Sequence, residues 1–122
     1  YQHVSQWKRR VTWSKKGWVE LHDTVAFEGE PRPAGTECFR FHLGSPEPVQ
    51  ITGKEKKWAV RWEGVSMAVE SDVPILVDQF QTVDFAGPKK HACLRVNAAE
   101  SMPGMILKTR FEFQRTTKQN EE

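Results

Sequence analysis

Lys57-Trp58-Ala59-Val60-Arg61-Trp62-Glu63-Gly64-Val65-Ser66-Met67-Ala68-Val69-Glu70 is the stretch whose reading decides the fold. Trp58, Val60 and Trp62 alternate with Ala59, Arg61 and Glu63. After Glu63-Gly64 the alternation resumes as Val65, Met67 and Val69 against Ser66, Ala68 and Glu70. Successive side chains of a β-strand point to opposite faces, so a period of two marks strand. The glycine between the runs makes them a hairpin, or a strand with a glycine bulge, with two Trp, three Val and Met67 on one buried face. The reverse face, Ala59, Arg61, Ser66 and Ala68, is small enough for another domain to dock closely.

The same period extends outward in both directions. Upstream, Trp7, Val11 and Trp13 share a parity with Arg9 among them, and Lys15-Lys16-Gly17 ends the run as a tight turn. From Trp18 to Phe27, Val19, Leu21, Val25 and Phe27 face one side and Trp18, Glu20, His22, Thr24 and Ala26 the other. Asp23 falls on the apolar side, where a carboxylate needs partners, so it either marks a bulge or caps a neighbouring loop. Glu28 to Thr36 is rich in Pro and Gly and is expected to be a long, mobile connection. Phe39, Phe41 and Leu43 then alternate with Cys38, Arg40 and His42, and Val49 to Thr52 forms a short strand.

Downstream, Val73, Ile75 and Val77 form a run that includes Pro74. Proline has no N–H for a ladder, which assigns this strand to an edge or a bulge; Phe80 to Phe85 continues it. Ala92, Leu94 and Val96 oppose His91, Cys93, Arg95 and Asn97. The last strand sets Met105, Leu107, Phe111 and Phe113 against Lys108, Arg110 and Glu112, and Gln114 to Glu122 is polar and expected to fray. About ten short strands at this turn spacing predict an all-β fold, an antiparallel β-sandwich.

A chain of 122 residues is expected to be a single domain. Its net charge of +2 balances 18 basic against 16 acidic side chains, which implies no general attraction to nucleic acid or membrane. No run reaches the roughly 20 apolar residues of a membrane span. Beginning at Tyr1, without Met and already in strand-like sequence, the chain reads as a piece cut from a longer one. Two cysteines are too few for a disulfide framework.

His22, Cys38, His42, His91 and Cys93 all fall on expected outer faces. If their strands were neighbours, some would converge on a zinc ion; the plainer account is a semi-polar face, and no metal site is assigned. Cys38 and Cys93 share a parity and form a candidate disulfide. No Gly-x-Ser-x-Gly, His-Glu-x-x-His or phosphate-cradling glycine loop is present, so no catalytic or cofactor-binding residue is assigned and no cofactor is expected. The lysines at turns, Lys15, Lys16, Lys56 and Lys57 among them, either touch an anionic glycan, with Trp18 as a stacking ring, or are solvated turns that guard strand edges.

Several phrases go further: Arg10-Val11-Thr12-Trp13, Gly17-Trp18-Val19-Glu20-Leu21-His22-Asp23, Phe39-Arg40-Phe41-His42-Leu43, Trp62-Glu63-Gly64-Val65 and His91-Ala92-Cys93-Leu94-Arg95-Val96. Together they resemble the carboxy-terminal β-domain of heparinase II/III-like polysaccharide lyases, over nearly the whole chain. The resemblance implies a parent enzyme with a helical toroid, a central β-sandwich and this smaller β-domain, cleaving uronic-acid-containing polysaccharide by β-elimination. In such enzymes the Tyr and His catalytic groups and any zinc site lie in the first two domains, so none carries over; the one Tyr here is Tyr1. The implied role is a non-catalytic accessory domain of a secreted or periplasmic bacterial lyase, packed on the catalytic domains of the same parent chain. The alternative is a free-standing carbohydrate-binding module for anionic glycans, through Trp18, Lys15, Lys16, Lys56 and Lys57.

Overall fold

The computed structural model describes residues 4–43, 45–83 and 90–114. Among them the chain forms nine strands and no helix: β1 (Val4–Ser14), β2 (Trp18–Phe27), β3 (Glu37–His42), β4 (Gln50–Lys54), β5 (Lys57–Trp62), β6 (Val65–Ser71), β7 (Ile75–Val83), β8 (Lys90–Ala98) and β9 (Gly104–Phe113). Nine strands stand where about ten were expected, and the run from Ile75 continues through Phe80 to Val83 as one strand, β7. Phe85 and the tail beyond Gln114 lie outside the described residues.

Two antiparallel sheets pack face to face as a β-sandwich. The larger has the order β1-β2-β9-β6-β5-β4, the smaller β3-β8-β7. The opening stretch is a true hairpin: Trp62 pairs with Val65 across Glu63-Gly64, and Gly64 sits at φ 77°, a left-handed conformation that glycine adopts without a Cβ clash. Val60, Met67 and Val69 are buried, and Trp58 and Trp62 pack against the same core. Across the sandwich they join Val25, Met105 and Leu107 from the large sheet and Ile75, Val77, Leu94 and Val96 from the small one. Pro74 directly precedes β7, an edge strand of the small sheet, as its missing donor requires.

Three contacts correct or extend the sequence reading. Asp23 is neither a bulge nor a loop cap: β2 stays in register through it, and its buried carboxylate accepts hydrogen bonds from Arg9 Nε at 2.6 Å, Arg9 Nη2 at 3.3 Å and Trp7 Nε1 at 3.0 Å. Arg9 stands directly opposite Asp23 in the β1–β2 ladder, so the pair is a cross-strand latch on the inner face. The Glu28 to Thr36 connection is tied by backbone bonds between Arg32 and Met102 in both directions and from Gly35 N to Ala98 O, rather than being a loose loop. Finally, the Gln79 amide bonds both Val49 N (2.8 Å) and Val49 O (2.6 Å), fastening β7 to the segment that leads into β4. A side-chain amide here presents the same donor and acceptor as a neighbouring backbone would.

The two sheets are unequal in width, and this leaves part of the inner face uncovered. Trp7, Val11 and Trp13 point to the same side as their β2 partners Val25, Leu21 and Val19. Even so, Trp7 is 43%, Val11 45% and Trp13 72% exposed, and Phe113 on β9 is 48% exposed. Edge strand β3 reaches over β2 and β9 far enough to bring Phe41 edge-on to Phe111, at 6.3 Å between ring centroids and 68° between planes. Among the described residues the small sheet has no further strand beyond β3 to cover β1.

Candidate functional site

On the outer face of the large sheet, next to the β1–β2 turn, the ladder brings five chemistry-bearing side chains together. Glu20 on β2 stands opposite Arg110 on β9, and Trp18 opposite Glu112. Glu20 bonds His22 Nε2 at 2.7 Å and Arg110 Nη1 at 3.2 Å, and Arg110 Nε bonds Glu112 at 3.1 Å. The Arg110 guanidinium lies 4.4 Å from the centre of the Trp18 ring, a cation–π stack. Trp18, expected as an exposed stacking ring, is therefore half-buried with one partner already in place.

The hydrogen bond from His22 is the main influence holding the Glu20 carboxyl below its ordinary value of 4.5; burial opposes it, and Arg110 and Lys108 add to it. A carboxyl whose folded-state value lies below its unfolded one stabilises the fold above the unfolded value, and that contribution fades as pH falls through the folded value. Glu20→Gln is thus expected to lower stability by about 1 kcal/mol near pH 7 and by clearly less near pH 3. Urea unfolding of both proteins at the two pH values measures the difference, and equal losses at both would refute the arrangement.

The candidate glycan contacts fall at two corners of the large sheet. Lys15 and Lys16 occupy the β1–β2 turn beside Trp18, whereas Lys56 and Lys57 belong to the β4–β5 turn. Lys57 pairs with Glu70, which pairs with Lys108, which pairs with His22, and this places Lys57 three strands and four residues from Trp18. At about 4.8 Å per strand and 3.3 Å per residue the two corners are roughly 20 Å apart. The small-residue patch is present on this outer face: Ala59 pairs with Ala68 and Arg61 with Ser66.

A site missed by sequence reasoning lies at the end of the β5–β6 hairpin. An open groove of about 690 Å³ runs between the Ser45–Pro48 segment and the hairpin turn, lined by Gln50, Arg61, Trp62, Glu63 and Gln114 among others. Gln50 and Arg61 are cross-strand partners at its rim. An indole beside a guanidinium, a carboxylate and amides is a mixture suited to a polar ligand with flat apolar faces. Periodicity assigned Trp62 to the core, and so it is, but a half-buried indole has a second edge. Only the fold-back of residues 45–48 shows that this edge borders a groove.

The cysteine and histidine residues separate. The ladder slips between Glu37 and Phe39, which turns Cys38 toward the core, while Cys93 stays on the outer face opposite His42. Cys93 thus stands about 13 Å along the ladder from Cys38, beyond the roughly 7 Å Cα reach of a disulfide, and both cysteines are free. Burial pushes the Cys38 thiol up to about 11, against a backbone hydrogen bond at Ala98 and with the Glu37 charge adding to the rise. Burial also raises Cys93, with the Arg40 charge opposing. Both are expected to react slowly with thiol reagents in the folded protein, and two thiols per chain to titrate in urea without reductant; fewer than two would overturn the assignment. Among the described residues His42 and His91 are the histidines that meet, and no three His, Cys, Asp or Glu side chains are grouped to hold a metal ion. No helix among the described residues is long and apolar enough to cross a membrane.

No protein-family model and no curated protein matches this sequence.

Proposed function

We propose that this chain is a non-catalytic accessory β-sandwich of a heparinase II/III-like polysaccharide lyase, the family its strand phrases resemble. The parent enzyme cleaves uronic-acid-containing polysaccharide by β-elimination in the periplasm or outside the bacterial cell. The chain packs against the catalytic domains of that parent. One observation carries the reading: Val11, Trp13 and Phe113 stand exposed on the inner face of the large sheet. Exposed large apolar side chains on the inner face of a sheet mark a protein contact, and a neighbouring domain laid over β1 would complete the sandwich where the small sheet stops.

The test uses the uncut gene product. It is expected to contain a helical region ahead of this domain and to release unsaturated uronate products from an anionic polysaccharide. Val11→Glu with Trp13→Glu is expected to leave the isolated domain's stability within about 0.5 kcal/mol and to lower the melting temperature of the uncut protein. A gene product without the helical region, or one that releases no unsaturated uronate, would sink the proposal.

The second reading, a free-standing module for anionic glycans, is favoured by the groove at Gln50, Arg61, Trp62 and Glu63. Titration with heparin, alginate and neutral glycans separates the two. Saturable, salt-sensitive binding lost in Arg61→Ala supports the module, and no binding supports the scaffold.

A further inference from the structure

His42, the last residue of β3, and His91, near the start of β8, meet on the outer face of the small sheet, with His42 Nδ1 and His91 Nε2 2.9 Å apart. We infer that the two imidazoles form a site for a borderline divalent transition-metal ion, Cu²⁺ ahead of Ni²⁺ and Zn²⁺, with water completing the coordination. Neither the outer-face network of the large sheet nor the groove uses either residue.

Placement is set by backbone. His42 pairs directly with Cys93, and the ladder continues past it through Leu43 N to Ala92 O at 3.0 Å and Ala92 N to Ser45 O at 2.8 Å. His91 is thereby held diagonally across from His42. The rings are tilted by 52° with centroids 5.2 Å apart, so they are not stacked flat against each other. Two imidazole nitrogens at about 2.0–2.1 Å from one ion are about 2.9 Å apart when they occupy adjacent corners of a square or octahedron, and about 3.3 Å apart at the corners of a tetrahedron. The 2.9 Å between them is a hydrogen-bond distance, and it puts both nitrogens within reach of one ion once the rings turn their lone pairs toward a common point. The general order of divalent affinities favours Cu²⁺, then Ni²⁺.

The surroundings accept a cation. The two guanidinium groups of this face are already neutralised: Arg40 by Glu37 at 2.8 and 2.9 Å, Arg95 by Asp78 at 2.8 and 3.0 Å. His42 is exposed and His91 half-buried, which leaves room for coordinating water. Cys93 stands opposite His42 in register but has no exposed surface, so its sulfur does not reach an ion on this face.

Without an ion, one ring donates its N–H to the other. On binding, that hydrogen leaves the shared nitrogen as a proton, and the outward nitrogen of the same ring takes one from water. Both inward lone pairs are then free for the metal, and a neutral pair releases no net proton.

The experiment titrates copper(II) chloride into the untagged chain in a His3→Ala, His22→Ala background, which removes the other two imidazoles. Calorimetry is expected to give one ion per chain with Kd on the order of micromolar, and electron paramagnetic resonance to show hyperfine coupling to two nitrogens. The thermal midpoint is expected to rise with copper concentration. His42→Gln, at an exposed position that folding tolerates, and His91→Gln are each expected to weaken binding by about tenfold or more and to abolish the thermal shift. Cys93→Ser is expected to leave binding unchanged. Absence of binding, binding indifferent to both histidine variants, or loss of binding in Cys93→Ser would overturn the assignment.

Discussion

Replacing Arg9 by Met is expected to destabilise the fold by about 3 kcal/mol, because it strands a buried carboxylate. The Asp23 side chain has no exposed surface, whereas that of Arg9 retains 35%. The asymmetry orders the variants. Arg9→Met leaves Asp23 with a single N–H, from Trp7, and no counter-charge. Asp23→Leu releases an arginine that can swing to water, so its cost is expected to be smaller. The double variant Arg9→Met with Asp23→Leu is expected to recover most of the loss, since a well-packed apolar pair in place of a buried ion pair is often neutral. Urea unfolding of the four proteins completes the cycle. An Arg9→Met loss below about 1 kcal/mol, or a double variant as weak as the worse single one, would show that the latch does not hold β1 to β2.

Leu107→Ala is expected to cost about 3 kcal/mol, and Ile106→Ala, one residue away, less than about 1. Strand β9 is central, between β2 and β6, and Leu107 lies opposite Asp23 on one side and Ser71 on the other with no exposed surface. Removing its side chain leaves a cavity that two flanking ladders keep from collapsing. Ile106 faces outward at 50% exposure, and its tie to Asp72 runs through its backbone N–H, which the substitution spares. Comparable losses at both positions, read from urea midpoints, would contradict the alternation along β9.

The hairpin from Lys57 to Glu70 was legible because strand periodicity and the turn are local: six alternating apolar side chains and one glycine in the twelve positions from Trp58 to Val69 admit few other structures. The edge position of β7 was legible for a similar reason, since Pro74 carries its constraint in its own backbone. Asp23 was half legible. Its parity showed that it needed a partner, but the partner is fourteen residues away on a strand whose register decides whether Arg9 or a neighbour stands opposite. Cys38 was misplaced because one slip in the β3–β8 ladder reverses the face of every residue on one side of it.

The candidate sites divide along the same line. Lys15, Lys16, Lys56 and Lys57 are alike in sequence and sit at opposite corners of one sheet. Gln50, Arg61 and Gln114 have nothing in common in sequence and share a groove.

By itself the sequence determined the strands, the inward and outward faces of all but the slipped start of β3, and the all-β class, because side-chain alternation and turn chemistry act over a few residues. Tertiary structure alone decided that β9 enters between β2 and β6, that a six-stranded sheet meets one of three strands, and that the Lys57–Glu70 hairpin contributes a groove at its tip as well as a core. Those features depend on which strand pairs with which across long stretches of chain, and backbone hydrogen bonds are the same for every residue type. Local sequence therefore says that a strand exists and which side it buries, while the choice of neighbours is made by the packing of the whole.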